Sequence, residues 1–275
     1  MNSTLKTRGI TAVVFIAVMI IGVFLSPYSF IALMCAIIGG CIWEFLSITC
    51  EKSLLRMFIC IASGISIALL FAFGKLQGLP ENFIFHSVFV LVLMTIILCV
   101  HELSTSSTIP FQNISFSVFS VLFYAIFIGS IFFIAFDNGA YNAWKVFGLI
   151  VLTWTNDTMA YVVGSQIGKN KMFSRISPNK TWEGTIGGIL FTLLLAYLFY
   201  TFLGIFTLSV WLMLGLIIGV FGTLGDLVES MLKRSLSVKD SGSLLPGHGG
   251  LLDRFDSFTL HMPLCVYLIK LCTTF

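Results

Sequence analysis

The sequence predicts an all-α, polytopic integral membrane protein with about nine transmembrane helices and a cytoplasmic N-terminus. Of its 275 residues, 58% are hydrophobic and only 10% are charged, whereas a soluble domain carries roughly 25% charged residues. Apolar runs of about 20 residues, the length that crosses a bilayer as a helix, follow one another almost without pause. These runs do not alternate polar and apolar residues, which excludes a closed outer-membrane barrel. The 28 Phe and 24 Gly suit a lipid-facing surface over closely packed helices.

The first run, 10–26, follows Lys6 and Arg8 in the manner of a secretory signal. Its length, and the lack of a clear small-x-small site before Pro27, make it an uncleaved first span. Runs at 29–49, 55–73, 83–101 and 115–136 complete an N-terminal half, 1–140, expected to serve packing and dimerisation. Runs at 144–164, 184–203, 208–228 and 254–273 form a C-terminal catalytic half, 141–275. The joins at 26–28, 49–54, 74–82 and 204–207 are short and carry turn residues such as Pro27, Gly74, Pro80 and Gly204. Two connections are long and polar, 165–183 and 230–253. The spans show no internal repeat.

Charge sets the orientation. With the N-terminus inside, Lys6, Arg8, Lys52, Arg56, Lys169, Lys171, Arg175, Lys180, Lys233, Arg234, Lys239 and Arg254 face the cytoplasm, and only Lys75, Lys145 and Lys270 lie outside. That positive-inside bias puts both polar connections on the cytoplasmic side of an inner membrane, where nucleotides are. The seven cysteines are odd in number and lack a C-x-x-C pair. They read as small apolar side chains rather than a disulfide or zinc framework.

Four acidic residues, Glu44, Asp157, Asp226 and Glu229, lie in or at the end of apolar spans. A charge at a helix centre costs about 2.5–3.5 kcal/mol on insertion scales, so each is a functional candidate. Asp226, Glu229 and Lys233 are spaced to share one helix face. A Glu229–Lys233 salt-bridge ladder is the alternative reading. Asp253 and Asp256 stand where the last span begins, and capping there is the plainer alternative. With Asp226 they offer three hard oxygen ligands, a set that suits Mg2+ bridging substrate phosphates. The run Pro246-Gly-His-Gly-Gly250 allows tight turns and free backbone amides, a candidate anion cradle, with His248 inside it. In the other polar connection, Ser177, Lys180 and Thr181 have the chemistry to hold phosphate. Lys169, Lys171 and Arg175 read as topological anchors. There is no Walker or kinase-type glycine loop.

The segment Ser230–Asp256, with Ser230, Lys233, Arg234, Lys239, Asp240, Gly242, Leu245, Pro246, His248, Gly249, Gly250, Asp253, Arg254 and Asp256, resembles without gap or mismatch the signature of the phosphatidate cytidylyltransferases, also called CDP-diacylglycerol synthases. The resemblance extends to Asn156-Asp157, to Ser177-Pro-Asn-Lys-Thr-Trp-Glu-Gly184 and to Gly225-Asp226-Leu-Val-Glu229. Across residues 1–140 it rests on hydropathy and on Trp43-Glu44.

It implies transfer of the cytidylyl group of CTP to phosphatidate, giving CDP-diacylglycerol and pyrophosphate. It also implies Mg2+, a second cation (Mg2+ or K+) and a homodimer. By resemblance Asp226, Asp253 and Asp256 are metal ligands, and Lys233, Arg234 and Lys239 hold the triphosphate or lipid phosphate. Ser177, Lys180 and Thr181 close the site, while Asp157, Glu229, Asp240 and His248 contact metal, cytosine or the groups around them. The expected partners are CTP, phosphatidate drawn from the bilayer and membrane lipid, with no nucleic acid. A phosphatidate phosphomonoester is already largely anionic near neutral pH, so direct attack on the α-phosphorus needs no protein nucleophile. Two rivals make different demands. An ion-coupled transporter would place carboxylates mid-membrane within a pseudo-repeat, and a CTP-using lipid kinase would move the γ-phosphate.

Overall fold

The computed structural model describes residues 3–78, 82–137, 139–242, 244, 247 and 249–273. Pro80, together with Leu245, Pro246 and His248 of the signature, lies outside the described residues. The chain forms two compact units, Met1–Tyr141 with Asp240–Arg254, and Asn142–Lys239 with Phe255–Phe275. The segment Asp240–Arg254 thus groups with the N-terminal helices.

In the first unit, α1 (Ser3–Phe24), α2 (Pro27–Thr49), α3 (Leu54–Leu76) and α4 (Asn82–Ser104) follow in order. α5 (Pro110–Ser120) runs through a π-helical stretch, Val121–Ile128, toward α6 (Phe132–Ala135). A short hairpin, β1 (Phe136–Asp137) and β2 (Ala140–Tyr141), closes this part with Phe136 opposite Tyr141. The start of α2 is encoded locally. Ser26 and Ser29 form a capping box around Pro27, which satisfies free amide donors while proline pre-sets the first helical φ. The Ser53 hydroxyl accepts from the Arg56 amide and does the same for α3. The core is aromatic and aliphatic. Phe30 meets Phe132 edge-on at 5.5 Å and Phe45 meets Tyr124 at 5.6 Å, around fully buried Met34, Ile38 and Ile42. Val13 on α1 and Phe85 and Phe89 on α4 stay exposed, as side chains facing lipid do.

Polar groups of the first unit gather where α2 hands over to α3 and α4 to α5. Arg56 is buried and pairs with buried Glu102. Its Nε donates to Glu102 Oε1 at 3.0 Å and its Nη1 to the Glu51 carbonyl at 2.6 Å. The Glu51 carboxylate accepts from Ser107 and Thr108 hydroxyls, both at 2.6 Å. Those hydroxyls, Ser107 first, hold its pKa down to about 2 from an ordinary 4.5. A carboxylate depressed in the folded state stabilises above its unfolded pKa and loses that contribution as pH falls through its folded one. Detergent-solubilised protein should therefore lose part of its thermal midpoint between about pH 4.5 and 2. Glu51→Gln should flatten that part of the curve, and an unchanged acid slope in the variant would contradict the assignment.

The second unit contains α7 (Ala143–Ile167), α8 (Trp182–Leu203), α9 (Leu208–Ile217), α10 (Thr223–Ser235) and the body of α11 (Leu252–Thr273). A π-helical stretch, Ile218–Gly222, joins α9 to α10. The polar connection expected at 165–183 is partly ordered as a hairpin, β3 (Lys171–Phe173) against β4 (Ser177–Thr181). α8 ends at Gly204 with φ +60°, a left-handed backbone that glycine adopts freely.

Among the described residues seven helical segments are long and apolar enough to cross a bilayer: α2, α3, α4, Pro110–Ala135, α7, α8 and Leu208–Ser235. The apolar stretch of α1, Gly9–Phe24, is shorter, and α11 is not in this set. The all-α, multi-pass class follows. All seven cysteines are free thiols.

Candidate active site

The site is built around α10. The π-helical Ile218–Gly222 widens the backbone just before it and resets the register of the residues that follow. Asp226, Glu229 and Lys233 then lie along one face, and Lys233 Nζ sits 3.0 Å from Glu229 Oε1. The salt-bridge ladder read as the alternative role of Glu229 is therefore present.

Asp226 is held on both oxygens. Ser230 Oγ, one turn on, donates to Oδ1 at 3.2 Å, and Lys180 Nζ on β4 meets Oδ2 at 2.6 Å. Lys180 also donates to the Thr223 carbonyl at 3.2 Å, so the hairpin is tied to the start of α10. Gly225 allows α10 to approach α11 closely, because a Cβ there would lie 2.5 Å from the Asp256 carbonyl oxygen. That approach places Asp226 near Asp256.

On α11, the Ser257 amide donates to Asp256 Oδ1 at 2.6 Å. The Ser257 hydroxyl reaches Asp157 Oδ1 and Oδ2 at 3.3 and 3.2 Å, joining α7 to α11. Asp157, Asp226, Glu229 and Asp256 are close enough for the others to act electrostatically on Asp256. One turn deeper, buried His261 has Nε2 3.1 Å from Thr153 Oγ1. The Thr153 hydroxyl donates to the Leu149 carbonyl at 2.9 Å.

Of these groups Asp157, Lys180, Thr223 and Asp226 line a cleft of about 550 Å³, together with Lys171 and Thr181 among others. Its size is that of a small-molecule site, and it carries both signs of charge. A groove of about 610 Å³ between α3 and α4 in the first unit is lined mainly by apolar side chains such as Phe73 and Phe83.

The remaining expected site residues have varied settings. Thr181 is buried and its hydroxyl accepts from the Gly184 amide, capping α8. Ser177 opens β4, opposite Phe173. Arg234 Nε donates to the Ile176 carbonyl at 3.3 Å, bracing the hairpin, and Lys239 is exposed. Asp240 and Asp253 belong to the first unit. Asp253 Oδ2 accepts from the Gly250 amide at 2.8 Å and the Ser241 amide at 3.2 Å, a capping-type arrangement. The glycine-rich run was read as an anion cradle, yet the Gly250 amide is spent on Asp253. His248 lies outside the described residues.

The structure adds Ser257, Thr223 and His261 to the residues that shape the site. The only sequence signal for Ser257 and His261 is their spacing of four on α11, after Asp256.

Among the described residues, no group of three or more His, Cys, Asp and Glu side chains stands arranged to hold a metal ion. The chemistry of the donors around Asp226 nevertheless fits Mg2+, because they are hard carboxylate and hydroxyl oxygens.

Fold and cleft together define a multi-pass helical membrane protein with an acidic and basic cleft formed by α7, the β3–β4 hairpin and α10. Comparison with known proteins specifies which. The sequence model of the Cytidylyltransferase family matches residues 6–272, and the chain belongs to that family. It is 43% identical over 180 residues to the phosphatidate cytidylyltransferase of Bacillus subtilis (strain 168), a match covering 64% of this chain and 65% of that protein. It is 40% identical over 176 residues to the proteins of the same name from Staphylococcus aureus (strain COL) and Staphylococcus haemolyticus (strain JCSC1435), covering 63% of this chain and 66% of each. The matched stretch thus spans slightly less than two thirds of these relatives.

Proposed function

We propose that this chain is a phosphatidate cytidylyltransferase. A phosphate oxygen of phosphatidate attacks the α-phosphorus of CTP, the bond from that phosphorus to the β-phosphate breaks, and CDP-diacylglycerol and pyrophosphate result. The observation that carries this reading is Asp226, held between Ser230 and Lys180 at a cleft of nucleotide size, in a chain of the Cytidylyltransferase family with the complete Ser230–Asp256 signature.

The two substrates are anions that repel each other, so the protein's main task is alignment and charge compensation. Lys180 and Lys233 carry positive charge already oriented by Asp226 and Glu229. Lys171 adds charge at the wall of the cleft, Arg234 adds it in the last turn of α10, and Lys239 follows past the helix end. Ser177 and Thr181 shape the hairpin over the cleft. Asp226 and Asp256 would hold Mg2+, with Asp253 supplied as a third carboxylate by the signature. A second cation, Mg2+ or K+, comes with the family reading. Bound Mg2+ would supply neutralisation of the triphosphate and of the departing pyrophosphate. Ser257 orients Asp157, while Asp240 and His248 follow from the signature alone. Nine spans, a cytoplasmic N-terminus, a site on the cytoplasmic face of a bacterial inner membrane and a homodimer complete the proposal. The Lys and Arg distribution supports the orientation.

Purified protein given phosphatidate, Mg2+ and CTP labelled at the α- or the γ-phosphate tests the reading. Label from the α position should enter lipid, and label from the γ position should leave as pyrophosphate. γ-Label in lipid would make the protein a kinase instead. No label in lipid from either would return the transporter reading.

A further inference from the structure

We propose that Glu44, in the apolar helix α2, is a positioning residue that seats the segment 240–254 and thereby orients Asp253. The consequence for catalysis rests on the cytidylyltransferase reading above; the anchoring itself does not.

Glu44 is only 3% exposed. Its Oε2 accepts from the Leu252 amide at 2.8 Å and from Ser241 Oγ at 3.3 Å. Leu252 is the first residue of α11, so the carboxylate of one helix satisfies an amide at the open N-terminus of another. Helix ends leave such donors without internal partners, and negative charge is favourable beside them. Glu44 therefore does from a distance what a local cap does elsewhere in this chain.

Two signature glycines fit around this side chain. A Cβ on Gly242 would lie 2.5 Å from Glu44 Oε1, and one on Gly250 would lie 2.2 Å from Ser241 Oγ and 2.4 Å from Glu44 Oε2. Neither is among the residues with positive φ, whereas Gly247 and Gly249 are. Space for the Glu44 carboxylate, shared at 250 with the Ser241 hydroxyl, and not turn geometry, thus favours glycine at 242 and 250. Ser241 completes the linkage: its hydroxyl donates to Glu44 while its amide donates to Asp253 Oδ2. The Gly250 amide donates to that same Asp253 oxygen. Moving Glu44 disturbs the segment that carries these two donors to Asp253.

The test compares Glu44→Gln and Glu44→Ala with wild type in three readouts: kcat and KM for CTP and phosphatidate, hydrogen exchange across 240–254, and thermal midpoint. A side chain that orients a ligand-bearing carboxylate typically changes activity by about 10–100-fold when removed. We expect kcat to fall by about tenfold or more, KM for phosphatidate to stay within about twofold, and exchange to rise within 240–254 while the other helices keep their protection. Gly242→Ala, whose added methyl would meet Glu44 first, should produce the same local loosening. Glu44→Asp in that background should recover part of both kcat and protection, because shortening the side chain makes room for the added methyl.

Unchanged exchange and kcat in both Glu44 variants would overturn the proposal. So would loosening spread over all helices, or no recovery in the paired variant. If wild type transfers no cytidylyl group, the functional reading fails and the exchange measurements still decide the anchoring.

Discussion

Asp226→Asn should lower cytidylyl transfer by at least about a hundred- to a thousandfold, the range seen when one oriented electrostatic group is removed from an active site. The protein should still insert in the membrane. The asparagine keeps the shape and can still accept from Ser230, but it loses the charge that orients Lys180 and the donor strength a hard cation needs. Stability should change little, because Lys180 and Asp226 have side-chain exposures of 22% and 34%, and pairs of that kind contribute about 0–1 kcal/mol. Asp256→Asn should behave in the same way. Activity within about tenfold of wild type in both variants, against the far larger loss expected, would refute the placing of the reaction at these carboxylates.

The second large effect is on stability and lies in the other unit. Arg56 and Glu102 have side-chain exposures of 4% and 3%, and Asn113 Nδ2 also donates to Glu102 at 3.3 Å. Removing one member of a buried ion pair leaves an uncompensated charge and costs about 3–5 kcal/mol, whereas replacing both with apolar groups is often close to neutral. Glu102→Leu or Arg56→Leu alone should therefore lower the unfolding midpoint in detergent sharply. The double substitution should restore most of it. A double variant as unstable as the sum of the singles would show that the two charges do not compensate each other.

Much of the helical framework could be read from the chain because bilayer helices are written in runs, and runs are local. The shared face of Asp226, Glu229 and Lys233 was legible for the same reason, since spacing of three and four residues on one helix needs no tertiary knowledge. What escaped depends on partners far apart in sequence. Glu51 bonds to Ser107 and Thr108, Ser257 to Asp157 and Glu44 to Leu252, and no periodicity encodes such pairs. The π-helical Ile218–Gly222 was hidden because an apolar run reads the same whether its turns hold 3.6 residues or more. The β3–β4 hairpin was read as a polar connection because its strands are short and charged. At Gly242 and Gly250 the missing side chain also leaves room beside the Glu44 carboxylate, a role that only the tertiary structure reveals.

The hydrogen bond from Leu252 to Glu44 joins residues 208 positions apart, and that separation bears on biosynthesis. A ribosome adding about 5–20 residues per second needs roughly 10–40 s to bridge the interval. For that time the Glu44 carboxylate lacks the Leu252 amide that satisfies it in the folded chain. The helices around Glu44 thus cannot complete their polar contacts until the segment that carries Leu252 has been translated.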